Sequence, residues 1–169
     1  QTINDLSDSQ VAAIRNIPPH DAAKPKAIDA RRPASIFLSE ERYALEQANV
    51  FRKFAVPVTV SALLGQPGSV LAHDGYGVPL LLMRDKQGVV RAFLNACMHK
   101  GSKLVEDCEP RKAGKVTCPY HAWTFALDGR LVGVPREETI ANFDKADRGL
   151  AELACREAGG LIWVMLDRN

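Results

Sequence analysis

Hydrophobic residues along most of this chain occur in short runs separated by turn residues, as they do in β-rich domains. The runs cover residues 56–60, 69–72, 78–83, 89–94, 115–117, 124–127, 130–132, 150–157 and 161–166. Gly, Pro, Asp and Asn lie between them, and these residues favour turns because they adopt or impose special backbone angles. The pattern predicts an antiparallel, all-β architecture.

Single residues predict two details of these strands. Pro79 lies in the run 78–83, and proline lacks the N–H donor that a strand ladder needs, so we expect an edge or strand-start position. Asp128-Gly129 separates two runs near the middle of the chain. Because Asp-Gly favours the primed turns, we expect a tight β-hairpin there.

Residues 39–52 have the spacing of an amphipathic helix. Ser39 is the predicted N-cap, and the two glutamates that follow it suit the positive end of the helix dipole. The apolar positions on one face are Ala44, Leu45, Ala48 and Phe51. We expect this face to pack against the sheet.

The first 33 residues differ from the rest, because they are polar and contain four prolines. We interpret residues 1–33 as an N-terminal arm, with a turn or two of amphipathic helix around residues 6–14. Residues 34–169 are then the single folded domain. Arg31-Arg32 in the arm is either a solvated pair or a contact for an acidic partner.

Composition narrows the class of protein. The chain has 46% hydrophobic and 25% charged residues, and its net charge of +2 gives no reason to expect a nucleic-acid partner. No apolar run approaches the ~20 residues that cross a bilayer, and the N-terminus lacks the basic and apolar regions of a secretory signal. We therefore expect a cytoplasmic protein with no membrane partner.

The candidate chemistry lies in two short motifs. Cys97-Met98-His99 and Cys118-Pro119-Tyr120-His121 each place one thiol and one imidazole on a short loop, with residues 100–117 between them. Thiolate and imidazole ligands together suit zinc or an iron–sulfur centre. In a Rieske centre, two Cys bind one iron of a [2Fe–2S] cluster and two His bind the other. One Cys and one His from each loop would supply that set.

The residues around these motifs resemble the N-terminal Rieske domain of ring-hydroxylating oxygenase large subunits. Residues 93–101 and 118–131 carry most of this resemblance, which is strongest from 78 to 135. It implies stacked antiparallel sheets, one N-terminal helix, and two cluster-binding loops at one tip. These loops are expected at about residues 95–103 and 116–123.

The resemblance also implies a role for each motif residue. Cys97 and Cys118 would bind the inner iron, and His99 and His121 the outer iron, which takes up the electron in that family. The neighbouring residues expected to support these ligands are Lys100, Gly101, Tyr120 and Trp123.

Two neighbours leave alternatives open. Trp123 either covers the cluster or is an ordinary core residue. Lys100 either favours an acidic partner or is a solvated surface charge. Lys100 and Ala122 also depart from the family pattern, in which Arg and Gly are usual at these positions.

The function implied by the resemblance is one-electron transfer. A reductase or ferredoxin would be the donor, and the acceptor would be the mononuclear non-haem iron of an oxygenase catalytic domain, in the same or a neighbouring subunit. Hydroxylating and demethylating oxygenases share this module. That iron requires two His and a carboxylate, and only His20 and His73 remain. We therefore expect that residues 1–169 contain no catalytic residue and oxygenate nothing alone.

Three alternatives compete with this interpretation. A free-standing Rieske-type ferredoxin would not need the N-terminal arm and helix. A structural zinc module would be colourless, and zinc sites usually place two Cys in one motif and two His in the other. A respiratory-type Rieske protein would need an additional Cys in each loop, but Ser102 and Tyr120 occupy those positions.

The remaining reactive side chains are expected to be structural. Cys108 lies between two carboxylates, whose negative charges disfavour a thiolate, so it is expected to be a poor nucleophile. Cys155 lies in a predicted strand as a small buried hydrophobe. His73 and Asp74 are interpreted as a capped turn, and His20 has no assigned role.

Overall fold

The computed structural model describes residues 8–16 and 31–167. The chain divides into two units, residues 1–38 and residues 39–169. The first unit contains helix α1, Asp8–Arg15, and a 3₁₀ helix, Ala34–Phe37. Helix α1 confirms the predicted helical turns, whereas His20 and most of the predicted arm lie outside the described residues. The predicted boundary between an arm and a domain stays a prediction.

The predicted helix after Ser39 is present as α2, Glu40–Glu46, followed by a π-helical turn, Gln47–Phe51. The Ser39 hydroxyl accepts a hydrogen bond from the backbone N–H of Arg42 at 3.2 Å. This bond satisfies one of the free donors at the helix N-terminus, as expected for an N-cap.

The predicted packing of the apolar helix face on the sheet is correct only at Phe51. Ala44, Leu45 and Ala48 are not buried, and only Phe51 packs against buried core residues. The π-helical turn adds a residue to the last turn and therefore rotates the face that a regular helix would keep aligned. Only the end of the helical segment is bonded to the sheet region, where the Asp167 N–H donates to the Arg52 carbonyl at 2.8 Å.

The described residues form ten strands in two antiparallel sheets. They are β1 Val56–Val60, β2 Ser69–His73, β3 Leu80–Arg84, β4 Val90–Leu94, β5 Arg111–Lys112, β6 Lys115–Thr117, β7 Thr124–Ala126, β8 Leu131–Gly133, β9 Glu152–Ala158 and β10 Leu161–Met165. The larger sheet has the order β1-β10-β9-β4-β3-β2-β5, and the smaller has the order β6-β7-β8. The predicted all-β class is confirmed. Short 3₁₀ helices cover Ser61–Leu64, Glu137–Thr139 and Lys145–Arg148.

Strand β3 begins immediately after Pro79, which confirms the strand-start alternative predicted for this proline, and the strand lies inside the sheet. Two other details of the strands differ from the sequence prediction. Strand β5 was not predicted, because two exposed basic residues carry no hydrophobic pattern. The prediction of a primed turn at Asp128-Gly129 is wrong, because a primed turn there needs a positive φ at Asp128. Only Gly129 of these two residues has a positive φ, of 86°. The Gly129 N–H donates to the Ala126 carbonyl at 3.0 Å, which closes the turn one residue earlier.

Strands β2, β3 and β4 are buried on both faces, which explains their continuous apolar runs. On one face, Val70, Leu81 and Phe93 pack with residues of the smaller sheet and with both cysteines of the two motifs. On the other face, Leu71 and Leu82 pack with residues of β1, β9 and β10. The core that contains the cysteines therefore lies between the two sheets.

Within the described ranges, no helix has the length and apolar character that crossing a membrane requires.

Candidate iron–sulfur site

The first motif lies on a closed loop after β4. The Cys97 N–H donates to the Ser102 carbonyl at 2.8 Å, and the Gly101 N–H donates back to the Cys97 carbonyl at 2.8 Å. Gly101 has a φ of 73°, which glycine adopts without the steric cost that a Cβ imposes. The loop therefore turns back on itself within six residues and leaves residues 98–101 exposed.

The second motif lies on the loop between β6 and β7 and repeats this geometry. The Cys118 N–H donates to the Trp123 carbonyl at 2.8 Å, and the Ala122 N–H donates to the Cys118 carbonyl at 3.0 Å. Ala122 takes the left-handed position, with a φ of 56°. A non-glycine residue there costs roughly 1–2 kcal/mol. Ala122 thus keeps the loop shape that the usual Gly would give, but with backbone strain.

The two loops place their thiols together inside the protein. Cys97 and Cys118 are each only 3% exposed. Burial raises the pKa of the Cys97 thiol, the backbone N–H groups of His99 and Lys100 that point at its sulfur lower it, and Cys118 raises it further. Two adjacent buried thiols, with N–H donors aimed at the Cys97 sulfur, suit thiolates whose charge a bound metal compensates.

The two imidazoles lie together outside the thiols. His99 and His121 are both exposed, and their ring centroids are 4.7 Å apart at an interplanar angle of 67°. The pKa of His99 is lowered by desolvation and by the nearby His121 and Lys100. A lowered pKa keeps the ring neutral, which is the form that binds metals.

The four motif side chains therefore form two pairs, one of sulfur and one of nitrogen. A two-iron cluster takes one pair on each iron, so the donor set fits it.

Aromatic rings contact both imidazoles. Trp123 is 6% exposed and lies parallel to His99, with centroids 4.8 Å apart and an interplanar angle of 8°. Trp123 is thus both a core residue and a neighbour of a motif side chain. Tyr120 is 64% exposed, and its ring centroid is 3.7 Å from that of His121. Lys100 is exposed beside them.

Asn95 is a site residue that the sequence pattern did not reveal. Its side chain is buried, and its Nδ2 donates to the Val105 carbonyl at 2.8 Å. Its Oδ1 accepts from the backbone N–H groups of Leu104 and Val105 at 3.0 and 3.2 Å. The signal in the sequence was an amide side chain two residues before the first motif cysteine. These bonds fix the chain where it leaves the first loop.

The remaining candidates lie elsewhere. The Gly75 N–H donates to His73 Nδ1 at 3.1 Å, which is the predicted capped turn. Asp74 instead accepts from Lys103 Nζ at 2.7 Å and so ties that turn to the first loop. Cys108 is exposed, and Cys155 is only half-buried, so the prediction that Cys155 is a core residue is correct only in part. Burial raises the pKa of Cys155 to about 11.

Known proteins match both the sequence and the fold. Residues 55–144, just over half of the chain, match the family model described as the Rieske [2Fe-2S] domain. The chain is 33% identical over 137 residues to the carnitine monooxygenase oxygenase subunit of Escherichia coli K12. That alignment covers 81% of this chain and 36% of the relative, so the chain spans little more than a third of the relative's length.

Solved structures give the same result. A quaternary ammonium Rieske monooxygenase, whose structure gives insights into carnitine oxidation by gut microbiota and inter-subunit electron transfer, aligns with a TM-score of 0.72 and 32% identity. The alignment covers 81% of this chain and 37% of that one. Naphthalene 1,2-dioxygenase from Rhodococcus sp. aligns with a TM-score of 0.72 and 28% identity, over 80% of this chain and 31% of that one.

Proposed function

Because the chain belongs to the Rieske [2Fe-2S] domain family, we propose that Cys97, Cys118, His99 and His121 bind the [2Fe–2S] cluster of a one-electron transfer domain. One observation carries this assignment: the two loops bring two buried thiols together and two exposed imidazoles together. A Rieske centre needs two sulfur ligands on one iron and two nitrogen ligands on the other. Each loop contributes one ligand of each kind, so both loops must close to complete the site.

When bound, the cluster supplies a carrier that accepts and releases one electron. The residues around the cluster would have different roles. The buried cysteines keep water from the sulfur side, and the backbone N–H groups of His99 and Lys100 point at the Cys97 sulfur. Such donors stabilise negative charge at sulfur. The imidazoles reach the surface, so an electron can pass between this side of the site and a docked partner.

We propose that a reductase or ferredoxin supplies the electron. The acceptor is the mononuclear iron of an oxygenase catalytic domain, in the same or a neighbouring subunit. The similar carnitine enzyme is an oxygenase subunit about three times as long as the matched region, and the structure of the quaternary ammonium Rieske monooxygenase gives insights into inter-subunit electron transfer. Both partners would dock where His99, His121 and Tyr120 are exposed.

The relatives also bear on the reaction class. The carnitine relative is 33% identical and the quaternary ammonium Rieske monooxygenase 32% identical, whereas naphthalene 1,2-dioxygenases are 28% and 30% identical. These values favour an oxygenase that acts on quaternary ammonium compounds over one that hydroxylates aromatic rings. Turnover of carnitine, betaine or choline by the complete subunit, with naphthalene unchanged, would support this class. The reverse result would assign the domain to aromatic hydroxylation.

Metal and sulfide analysis tests the cluster assignment. After anaerobic, iron-replete preparation, the chain should contain two irons and two inorganic sulfides, with visible absorbance that bleaches on reduction. Cys118→Ser should lose the absorbance. The matched control is Cys108→Ser, because Cys108 is exposed and lies outside both motifs, and it should keep the cluster. Stoichiometric zinc in a colourless protein would instead identify a structural zinc module.

A further inference from the structure

Trp123 makes a ring contact that spans the two loops. It belongs to the second loop, yet its indole lies flat against His99 of the first loop, at 4.8 Å and 8°. We infer that Trp123 is a positioning residue that fixes the ring plane of His99, and that Phe143 holds Trp123 in place. This inference rests on the proposed role of His99 as an iron ligand.

Trp123 has little freedom to move. It is 6% exposed and packs in the core that contains Cys97, Cys118 and Phe125. Its carbonyl accepts the hydrogen bond from the Cys118 N–H that closes the second loop. The same residue therefore holds the backbone of one loop and the imidazole of the other.

Phe143 supports the indole from an irregular segment of the chain. Its ring meets Trp123 edge to face, with centroids 5.5 Å apart and an interplanar angle of 72°, a favourable geometry for aromatic pairs. Two contacts fix this segment close to Phe143. Lys145 pairs with Glu137 at 2.8 Å, and Asp144 accepts from the Ala146 N–H at 2.8 Å.

The two imidazoles differ in what holds them. His99 has a flat, buried indole on one side, whereas His121 contacts the exposed Tyr120 ring and the His99 ring. Groups that orient a ligating imidazole tune the metal it binds. Loss of the indole should therefore disturb the nitrogen of His99 more than that of His121. It should also let water reach the His99 ring and stabilise the additional negative charge of the reduced state.

The experiment compares four variants of the full chain with bound cluster: Trp123→Leu, Trp123→Phe, Phe143→Leu and Trp163→Phe. Trp163 is the matched control, because it is the chain's other tryptophan and its Nε1 donates to the Ala158 carbonyl at 3.1 Å in the β9–β10 hairpin. The readouts are the nitrogen hyperfine couplings of reduced protein labelled with ¹⁵N-histidine, by pulsed EPR, and the midpoint potential.

Trp123→Leu should change one of the two histidine nitrogen couplings and raise the midpoint potential. Trp123→Phe should retain most of the wild-type couplings, because a ring still stacks on His99. Phe143→Leu should move the same coupling by a smaller amount in the same direction. Trp163→Phe should change neither readout.

Unchanged couplings and an unchanged potential in Trp123→Leu would overturn the inference and leave Trp123 as a core residue only. If Trp123→Leu fails to hold the cluster, the inference is tested with Phe143→Leu instead. Unchanged histidine nitrogen couplings in Phe143→Leu would then overturn the inference. A wild-type protein with no histidine nitrogen coupling would instead contradict the proposed function.

Discussion

Asn95 shows how much one amide contributes to the first loop. Its three hydrogen bonds satisfy backbone groups of Leu104 and Val105 inside the protein. Each buried group left unpaired costs about 1–3 kcal/mol. We therefore predict that Asn95→Ala lowers the free energy of unfolding by about 2–4 kcal/mol and reduces cluster retention. Urea unfolding of the two proteins measures the difference.

The control is Asn49→Ala. Asn49 is also an asparagine with a side-chain to backbone bond, to the Leu45 carbonyl at 3.0 Å, but it is exposed on the helical segment. Its replacement should change stability by no more than about 0.5 kcal/mol. Equal stability of the two variants would show that the Asn95 bonds contribute nothing beyond those of a surface residue.

Glu157 gives the protein a predictable response to acid. Arg84 pairs with it through two bonds, at 2.7 and 2.9 Å, and this pairing holds the pKa of the Glu157 carboxyl below its ordinary value of 4.5. The unfolded state therefore binds a proton more readily than the folded state. The resulting stabilisation is fully present above about pH 4.5 and is lost as the pH falls through the lower, folded pKa.

We predict that Glu157→Gln makes the free energy of unfolding less dependent on pH below about 4.5. The measurement is denaturant unfolding across the acidic range for the wild type and the variant. Glu46→Gln is the comparison, because Glu46 forms an exposed pair with Arg42 on one helix, and exposed pairs of this kind contribute little. Identical acid profiles for all three proteins would contradict the prediction.

At the scale of elements, the β7–β8 hairpin depends on Gly129. A Cβ there would meet the Phe93 ring, with Cζ at 2.8 Å, and φ is +86°. Gly88 has nearly the same φ, +85°, but a Cβ added there would meet nothing within 4 Å. We predict that Gly88→Ala costs about 1–2 kcal/mol from backbone strain alone. Gly129→Ala should cost that amount and roughly a further 1–3 kcal/mol from overpacking.

Thermal or urea unfolding of both glycine variants measures this difference. The two glycines share the same backbone conformation. Subtracting the loss of unfolding free energy in Gly88→Ala from the loss in Gly129→Ala therefore isolates the cost of the clash with Phe93. A smaller loss for Gly129→Ala than for Gly88→Ala would show that the hairpin moves away from Phe93 at little cost.

The sequence predicted an element well where the element's own pattern of hydrophobic and capping residues determines its structure. Strands β2 to β4 are largely apolar because both faces are covered, and Ser39 is an N-cap through a bond three residues away. The elements that were missed depend on distant partners. The turn at Gly129 is fixed by Phe93 and by the Leu150 N–H, which donates to the Gly129 carbonyl at 2.8 Å. No local pattern contains those contacts.

In the candidate site, too, the local features could be predicted from the sequence and the long-range contacts could not. The two motifs are local, so the four proposed ligands could be predicted from spacing and from the family resemblance. The contacts that hold them join residues far apart in the chain. Asn95 bonds to residues 104 and 105, and Trp123 reaches His99 and Phe143. The folded arrangement was needed to find the groups that support the ligands.

For the whole molecule, we predict a midpoint potential toward the low end of the Rieske range, which begins near roughly −150 mV. The family resemblance implies that Ser102 and Tyr120 stand where high-potential, respiratory-type Rieske proteins have a bridging pair of cysteines, and that Trp123 stands where those proteins have a hydroxyl donor to sulfur. Fewer hydrogen bonds to sulfur leave the added electron less stabilised. Protein-film voltammetry measures this value, and a midpoint near the upper end of the range would contradict the prediction.

The division of the ligands, with Cys97 and Cys118 on one iron and His99 and His121 on the other, is the central claim. Mössbauer spectroscopy of the ⁵⁷Fe-enriched, reduced chain tests it most directly, because it resolves the two irons separately. We predict two inequivalent irons in equal amounts, one ferric and sulfur-ligated and one ferrous with nitrogen ligands. Two irons with the same all-sulfur surroundings, or a spectrum with no cluster iron, would contradict it.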